Sequence, residues 1–107
     1  MAKQYFAVFA IVNNGFSDTV MDAARAAGAR GGTIINARGT SSKEIEKKYN
    51  ILIHPEKELI LILVDETVKD AVLHSIYKEV GFNSEGQGIT FALPVDEVVG
   101  IVETNTN

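Results

Sequence analysis

The sequence predicts an α+β domain in which two βαβ halves share one antiparallel sheet. Three observations lead to this prediction. Residues 4–12 and 58–64 are almost continuously apolar, which is typical of buried strands. A segment with apolar residues at helical spacing follows each of them and ends at a glycine. The chain has 107 residues, enough for one hydrophobic core but not for two, so residues 1–107 are predicted to form one domain.

The first half of the chain is predicted to fold as strand, helix and strand. The strand of residues 4–12 stops at an Asn-Asn-Gly turn. Ser17 is expected to cap the following helix, which ends with Gly28 at the C′ position. Residues 32–38 form the second strand, because they are rich in β-branched side chains between flanking glycines.

The second half repeats this order after a polar loop at residues 40–54. A strand at residues 58–64 is followed by a helix over residues 67–80, which Gly81 closes. The last strand covers residues 89–95. The resulting order, βαββαβ, is that of the ferredoxin-like fold, in which both helices lie on one face of the sheet.

Two helices cover only one face of such a sheet, yet the first, third and fourth strands are apolar at successive positions. A face exposed to water would instead carry polar residues at every second position. We therefore expect the chain to associate with copies of itself through the uncovered face.

Composition narrows the class of protein. The net charge of −4 argues against general nucleic-acid binding, which relies on a basic surface. The absence of cysteine excludes disulfides and thiolate metal sites. No apolar run approaches the length of about 20 residues that crosses a bilayer, and the N-terminus has no export signal pattern, so we expect no membrane insertion and a cytoplasmic location.

Residue patterns for catalysis or metal binding are missing from the sequence. His54 and His74 are isolated from each other and from carboxylates at ligand spacing. No serine stands in a nucleophile-elbow motif. We therefore predict no catalytic residue, no metal site and no enzymatic activity.

Glycines and arginines mark both ends of the second strand and the start of the fourth. The glycines are Gly28, Gly31, Gly32 and Gly39 around the second strand and Gly81, Gly86 and Gly88 before the fourth. Glycine lets backbone N–H groups approach a phosphate closely, and Arg30 and Arg38 supply positive charge. The alternative is that these glycines serve only helix ends and tight turns.

Three stretches, GARGGTIINARGT, PEKELILILVDETV and GQGITFALPVDEVVG, resemble the PII signalling (nitrogen regulatory protein P-II) family, and the resemblance extends over essentially the whole chain. It implies a homotrimer with the sheets facing inward and adenine nucleotides bound in the clefts between subunits. It also implies that a mobile T-loop after the second strand docks onto a transporter, an enzyme or a regulator.

The resemblance assigns three groups of ligand-binding positions. Gly31, Thr33, Gly39 and Ser41 match the second-strand side of the cleft, Ile62 and Leu63 match the apolar wall against the base, and Gly86, Gln87 and Gly88 match the turn that wraps the phosphates. Arg38 is the best-placed cation for a phosphate or another anion.

Departures from the family pattern concern charge. The family's Gly-Asp-Gly-Lys turn reads Gly86-Gln87-Gly88-Ile89 here, and its two arginines on the fourth strand fall on Glu97 and Gly100. Loss of these cations should weaken binding of a triphosphate, so we expect AMP or ADP to be preferred over ATP.

The loop at residues 40–54 corresponds to a shortened T-loop. Its partner-binding residues are predicted to be Lys43, Ile45, Lys47, Lys48 and Tyr49. Tyr49 stands six residues before Pro55, where some family members carry a modified tyrosine, but its neighbours do not reproduce the flanking pattern.

Two other classes of protein remain open on the sequence alone. One is a small trimeric ferredoxin-like enzyme or metal-tolerance protein that binds divalent cations. The other is a ferredoxin-like RNA-binding module, although the phenylalanines at positions 6, 9 and 91 lack the accompanying positive charge.

Overall fold

The computed structural model describes residues 3–40, 43–50 and 55–101. The helices and strands are β1 (Tyr5–Asn13), α1 (Ser17–Ala26), β2 (Thr33–Arg38), α2 (Lys43–Tyr49), β3 (Glu56–Asp65), α3 (Lys69–Val80) and β4 (Ile89–Val95). The four strands form one sheet in the order β2-β3-β1-β4, and every neighbouring pair is antiparallel. The predicted ferredoxin-like fold is confirmed.

The hydrophobic core lies between the sheet and the helices α1 and α3. The strands contribute Val8, Ala10 and Val12 from β1 and Ile60, Ile62 and Val64 from β3, and the helices contribute Val20, Met21, Ala24, Val72, Ile76 and Val80. These side chains are buried, and they alternate along each strand as a one-sided core requires.

The opposite face of the sheet is apolar and has no cover within the described chain. The exposed apolar side chains on it are Ile35, Leu63, Ile89, Phe91 and Leu93. Phe9 and Phe91 stack on this face with their ring centroids 5.2 Å apart. The strands are therefore apolar on both sides, as the sequence predicts.

A short helix, α2, lies where the sequence predicts a loop without secondary structure. Glu44 and Glu46 lie in its first turn and Lys47 and Lys48 in its last, which is the charge arrangement that the helix dipole favours. None of its residues is buried. Local electrostatics rather than packing therefore accounts for this helix.

The start of α1 differs from the prediction. Phe16, not Ser17, is the N-cap residue, and no side chain of the cap bonds to the helix. Instead, a carboxylate oxygen of Glu58 accepts hydrogen bonds from the backbone N–H of Gly15 at 2.9 Å and of Ser17 at 3.3 Å. A residue of β3 thus satisfies N–H groups that a local cap would otherwise meet.

Gly28 takes the predicted C′ position with a φ of 114°, whereas Gly81 ends α3 without a positive φ. A Cβ atom at Gly81 would lie 2.6 Å from the carbonyl oxygen of Tyr77, so close approach accounts for this glycine. β4 ends at Val95, and no strand continues through the described residues up to Ile101.

The turn between α3 and β4 is packed against both of its neighbours. Gly88 forms a parallel bridge with Gly81 and donates its N–H to the carbonyl oxygen of Val80 at 2.7 Å. A Cβ atom at Gly88 would overlap that carbonyl oxygen and lie 2.9 Å from a methyl group of Val12. No residue other than glycine fits this position without displacing the end of α3.

We predict that Gly88→Ala lowers the free energy of unfolding by about 1–3 kcal/mol, because the added methyl group forces the turn away from α3. Urea unfolding at fixed protein concentration measures the change. Gly31→Ala is the matched control, since no atom lies within 4 Å of a Cβ placed there. Equal stability of the two variants would contradict this account of the turn.

Candidate functional site

The glycine turn, residues 83–88, lies at the end of the sheet where β1 and β2 finish and β3 and β4 begin. We call this the loop end, because the segment of residues 40–54 leaves from β2 and returns to β3 there. The other end of the sheet, where β1 begins and β3 finishes, is called the opposite end.

A polar network crosses the loop end. Asn13, at the end of β1, is 6% exposed, and its amide Nδ2 donates to the carbonyl oxygen of Glu85 at 2.9 Å and to Oε1 of Gln87 at 3.2 Å. The ammonium group of Lys57 donates to Oδ1 of Asn13 at 2.7 Å. Desolvation lowers the pKa of Lys57 from its ordinary value.

Backbone N–H groups of the glycine turn are engaged within the protein. The N–H of Gln87 donates to the carbonyl oxygen of Ser84 at 3.0 Å, and that of Gly88 donates to Val80 at 2.7 Å. Gly86 and Gly88 are buried. In this conformation the two N–H groups are not directed at a ligand, so the turn offers a phosphate fewer donors than an open glycine loop.

A cavity of about 530 Å³ lies beside this network. Its lining residues are Asn13, Asn14, Phe16, Glu56, Glu85 and Gln87. The lining side chains include two carboxylates and no cation. Two cations lie next to this lining: the Lys57 ammonium group is bonded to Asn13, and Arg38 lies opposite Glu56 in the sheet.

A second cavity, of about 240 Å³, lies at the opposite end. Its lining residues are Lys3, Tyr5, Gly28, Ala29, Arg30, Leu63, Val64, Asp65, Val68 and Ile101. The side chains of Leu63 and Ile101 give it apolar surface, and Lys3 and Arg30 bring two cations to it beside the one carboxylate of Asp65. This combination suits a ligand with a flat apolar part and an anionic part.

Asp65 organises the rim of this second cavity. Its carboxylate accepts hydrogen bonds from the hydroxyl and, at 2.8 Å, from the backbone N–H of Thr67, and its other oxygen lies 3.8 Å from the ammonium group of Lys3. The hydroxyl of Thr67 is the main reason that the pKa of Asp65 lies below its ordinary value of 3.8.

The family model described as nitrogen regulatory protein P-II matches residues 6–105. The chain belongs to the P-II family. The resemblance stated from the three sequence stretches is therefore confirmed, and it covers nearly the whole chain. No curated protein sequence matches the chain.

Solved structures support the P-II fold. The chain is similar to PII of Arabidopsis thaliana bound to citrate, with 24% identity, 94% of this chain and 82% of that chain covered, and a TM-score of 0.68. It is similar to a GlnK–ATP complex of B. subtilis, with 21% identity, coverage of 89% and 84%, and a TM-score of 0.67. A functionally unknown protein of Pediococcus pentosaceus has 18% identity, coverage of 94% and 100%, and a TM-score of 0.67.

The ligand positions that the P-II resemblance assigns fall into two groups in one chain. Thr33 begins β2 and Arg38 ends it, so about 17 Å of extended strand separates them. Leu63 lines the cavity at the opposite end, while Gly86, Gln87 and Gly88 lie at the loop end. A single subunit thus does not bring the two groups together.

Other assigned positions have specific surroundings. Ile62 is fully buried against the helices, so its side chain belongs to the core and only Leu63 presents an apolar side chain to a ligand. Gly39 lies above Lys57, and its N–H donates to the carbonyl oxygen of Pro55 at 2.7 Å. Gly31 lies just before β2 with open space around it. Ser41 lies outside the described residues.

The histidines give no metal site in the described part of the chain. His74 is exposed on α3, and His54 lies outside the described residues. Among residues 3–40, 43–50 and 55–101, no three histidine or acidic side chains are grouped to hold a metal ion. Within the same residues, no helix is both long and apolar enough to span a membrane.

Sequence reasoning missed several residues of these cavities. The sequence pattern places Asn13 only in a turn and gives Lys3 and Asp65 no role, although the pairing of β1 with β3 brings Lys3, which precedes β1, to within 3.8 Å of Asp65. A buried asparagine at a strand end is a usable signal, because a buried amide needs hydrogen-bond partners from elsewhere in the chain.

We predict that Asp65→Asn lowers the Tm at pH 7, because the amide accepts weaker hydrogen bonds from Thr67 and has no charge for Lys3. The folded-state pKa of Asp65 is depressed, so its stabilisation is present above the unfolded-state value and is lost as the pH falls through the folded-state value. The Tm deficit should therefore shrink below pH 3.8.

Thermal melts of the parent and the variant test this prediction. They are measured from pH 7 down to the lowest pH at which both proteins still fold. Asp22→Asn, an exposed position on α1, is the matched control and should show no such pH-dependent difference. A deficit of constant size across the pH range would show that the carboxylate charge is not its cause.

Proposed function

We propose that this chain is a cytoplasmic, non-enzymatic signal-transduction protein of the P-II family that assembles as a homotrimer. In this proposal it binds a small effector, an adenine nucleotide, in the clefts between subunits. The loop of residues 40–54 then regulates a partner protein, such as a transporter or a metabolic enzyme. The observation that carries the proposal is the open apolar sheet face in a chain that matches the P-II family along its length.

The open face supports self-association. Leu93 is 51% exposed and Ile89 is 59% exposed, and both stand on the edge strand β4 beside the stacked rings of Phe9 and Phe91. Contiguous apolar surface of this kind is rare on monomeric proteins and usually marks an interface. The proposed inter-subunit site requires that assembly bring the opposite-end cavity of one subunit near the glycine turn of a neighbour.

The cavity at the opposite end supports an effector with a base and a short phosphate chain. Leu63 supplies the apolar wall that the family pattern places against the base, and Lys3 and Arg30 lie at the same cavity. The similar GlnK structure is an ATP complex and the similar plant PII structure holds citrate, so both contain anionic ligands. Carboxylates at the loop end argue for AMP or ADP over ATP, since each added phosphate increases repulsion.

The loop of residues 40–54 suits a docking role. In α2, Ile45 is 45% exposed and Tyr49 is 61% exposed, and Lys48 lies over the Tyr49 ring at 5.7 Å. Exposed apolar and aromatic side chains between lysines offer both contact area and charge to a partner protein. Lys43 and Lys47 extend this basic surface, and both are exposed.

We predict a trimeric mass for the purified chain by light scattering at micromolar concentration. Leu93→Glu should reduce the mass, because a buried unpaired carboxylate would be costly in the assembled face. Its matched control is Tyr77→Glu, a position that is 60% exposed on α3 and away from the open face. A monomeric parent, or an unchanged mass for Leu93→Glu, would contradict the proposed assembly.

We predict that AMP or ADP binds to the protein more tightly than ATP, and calorimetry measures the three affinities. Arg38→Ala should then lose about 1.5–3 kcal/mol of affinity, the worth of a charge-assisted hydrogen bond, without unfolding the protein. Lys78→Ala on α3 is the control and should bind as the parent does. A wide preference for ATP would sink the expected ligand choice, and unchanged binding by Arg38→Ala would remove Arg38 from the site.

A further inference from the structure

The glycine turn and the base of the loop at residues 40–54 contact the same pair of side chains. In the proposed function, a change in one of these segments affects the other. The two side chains are those of Asn13 at the end of β1 and Lys57 near the start of β3. Neither residue is assigned a role by the sequence patterns.

We propose that Lys57 and Asn13 are positioning residues: Lys57 fixes the orientation of the Asn13 amide, and the pair ties the glycine turn to the base of the loop. The link itself does not depend on the identity of the effector. Only the use of the loop as a docking segment rests on the proposed function.

The Asn13 side chain holds the turn through groups that only its NH₂ can meet. Both partners of Nδ2, the carbonyl oxygen of Glu85 and Oε1 of Gln87, are placed as acceptors. The backbone N–H of Asn13 adds a third bond, to the carbonyl oxygen of Gly86 at 2.8 Å. Three consecutive residues of the turn are therefore held by one residue of β1.

Lys57 selects one of the two orientations that the side-chain amide of Asn13 could adopt. An ammonium group has donors and no acceptor, so it requires Oδ1 of Asn13 on its side, at 2.7 Å. A reversed amide would place NH₂ against the ammonium group and Oδ1 against the carbonyl oxygen of Glu85. The reversed state is unfavourable at both ends, so the two contacts support each other.

The stem of Lys57 connects this pair to the loop base. A Cβ atom added at Gly39 would lie 3.0 Å from Cε and 3.1 Å from Cγ of Lys57, so the chain after β2 rests directly on this side chain. The N–H of Gly39 bonds to the carbonyl oxygen of Pro55, which joins the two ends of the loop. Displacement of Gly39 would therefore press on the same side chain that orients Asn13.

The state of Lys57 is consistent with this role. Its pKa is lowered because burial takes water from the ammonium group. An ammonium group with reduced hydration depends more strongly on its hydrogen-bond partners, and among the described residues that partner is Asn13.

Hydrogen exchange on the full chain, with no nucleotide and no partner present, tests the link. Lys57→Met keeps the apolar stem and removes the ammonium group. We expect the amides of Gln87 and Gly88 to exchange about tenfold faster in this variant, because the turn loses its fixed anchor. Lys57→Arg should restore slow exchange, and Lys78→Met should leave it unchanged.

Trypsin tests whether a change at Asn13 affects the loop, because it cleaves after Lys43, Lys47 and Lys48. Asn13→Asp can still accept from Lys57 but cannot donate to Glu85, whereas Asn14→Asp makes the same charge change one residue away. We expect faster loop cleavage in Asn13→Asp than in Asn14→Asp. Adding Lys57→Met to Asn13→Asp should give less than the sum of the two separate effects.

Unchanged exchange at Gln87 and Gly88 in Lys57→Met would overturn the proposal, as would equal cleavage of the two aspartate variants. Equal acceleration at the core amides of Val8 and Ile60 would also overturn it, because the effect would then be a general loss of stability. Failure of nucleotide binding, by contrast, would count against the proposed function and would leave these results unaffected.

Discussion

The antiparallel pairing of β1 with β3 is the interaction on which the rest of the structure depends. Val8 lies opposite Ile62 and Ala10 lies opposite Ile60, and all four side chains are buried beneath α1 and α3. Side chains between these positions point to the other face, and they are apolar too. Central strands of this composition need cover on both sides, and α1 and α3 supply it on one side only.

The same two strands also explain the polar loop end. Where β1 finishes, the packing continues through Gly88 onto Val12, so Asn13 is only 6% exposed. A buried amide is tolerated only when its donors and acceptors are bonded. Lys57 and the carbonyl oxygen of Glu85 meet that requirement, and the conformation of the glycine turn follows from it.

Local patterns in the sequence were sufficient to predict the strands, the two core helices and the ends at Gly28 and Gly81. Features that depend on distant residues were not predictable in this way. The cap of α1 comes from Glu58, which is 41 residues from Ser17, and α2 was missed because none of its residues is buried to give an apolar pattern. The candidate site also has a predictable and an unpredictable part. Leu63 was predicted from a family pattern, whereas the Asn13–Lys57 contact spans 44 residues and no local pattern indicates it.

The charge distribution around the glycine turn bears on the ligand that we propose. The positions at which the resemblance implies a lysine and two arginines hold Ile89, Glu97 and Gly100, and Glu97 and Gly100 lie beyond the end of β4. Glu56 and Glu85 bring carboxylates to the loop end. The N–H groups of Gln87 and Gly88 are bonded internally, so these two groups are not offered to a ligand in this conformation. In the inter-subunit site that we propose, a ligand with fewer phosphates would bring less negative charge to these carboxylates. The preference for AMP or ADP that we propose would therefore depend on how the turn is anchored as well as on which basic residues are absent.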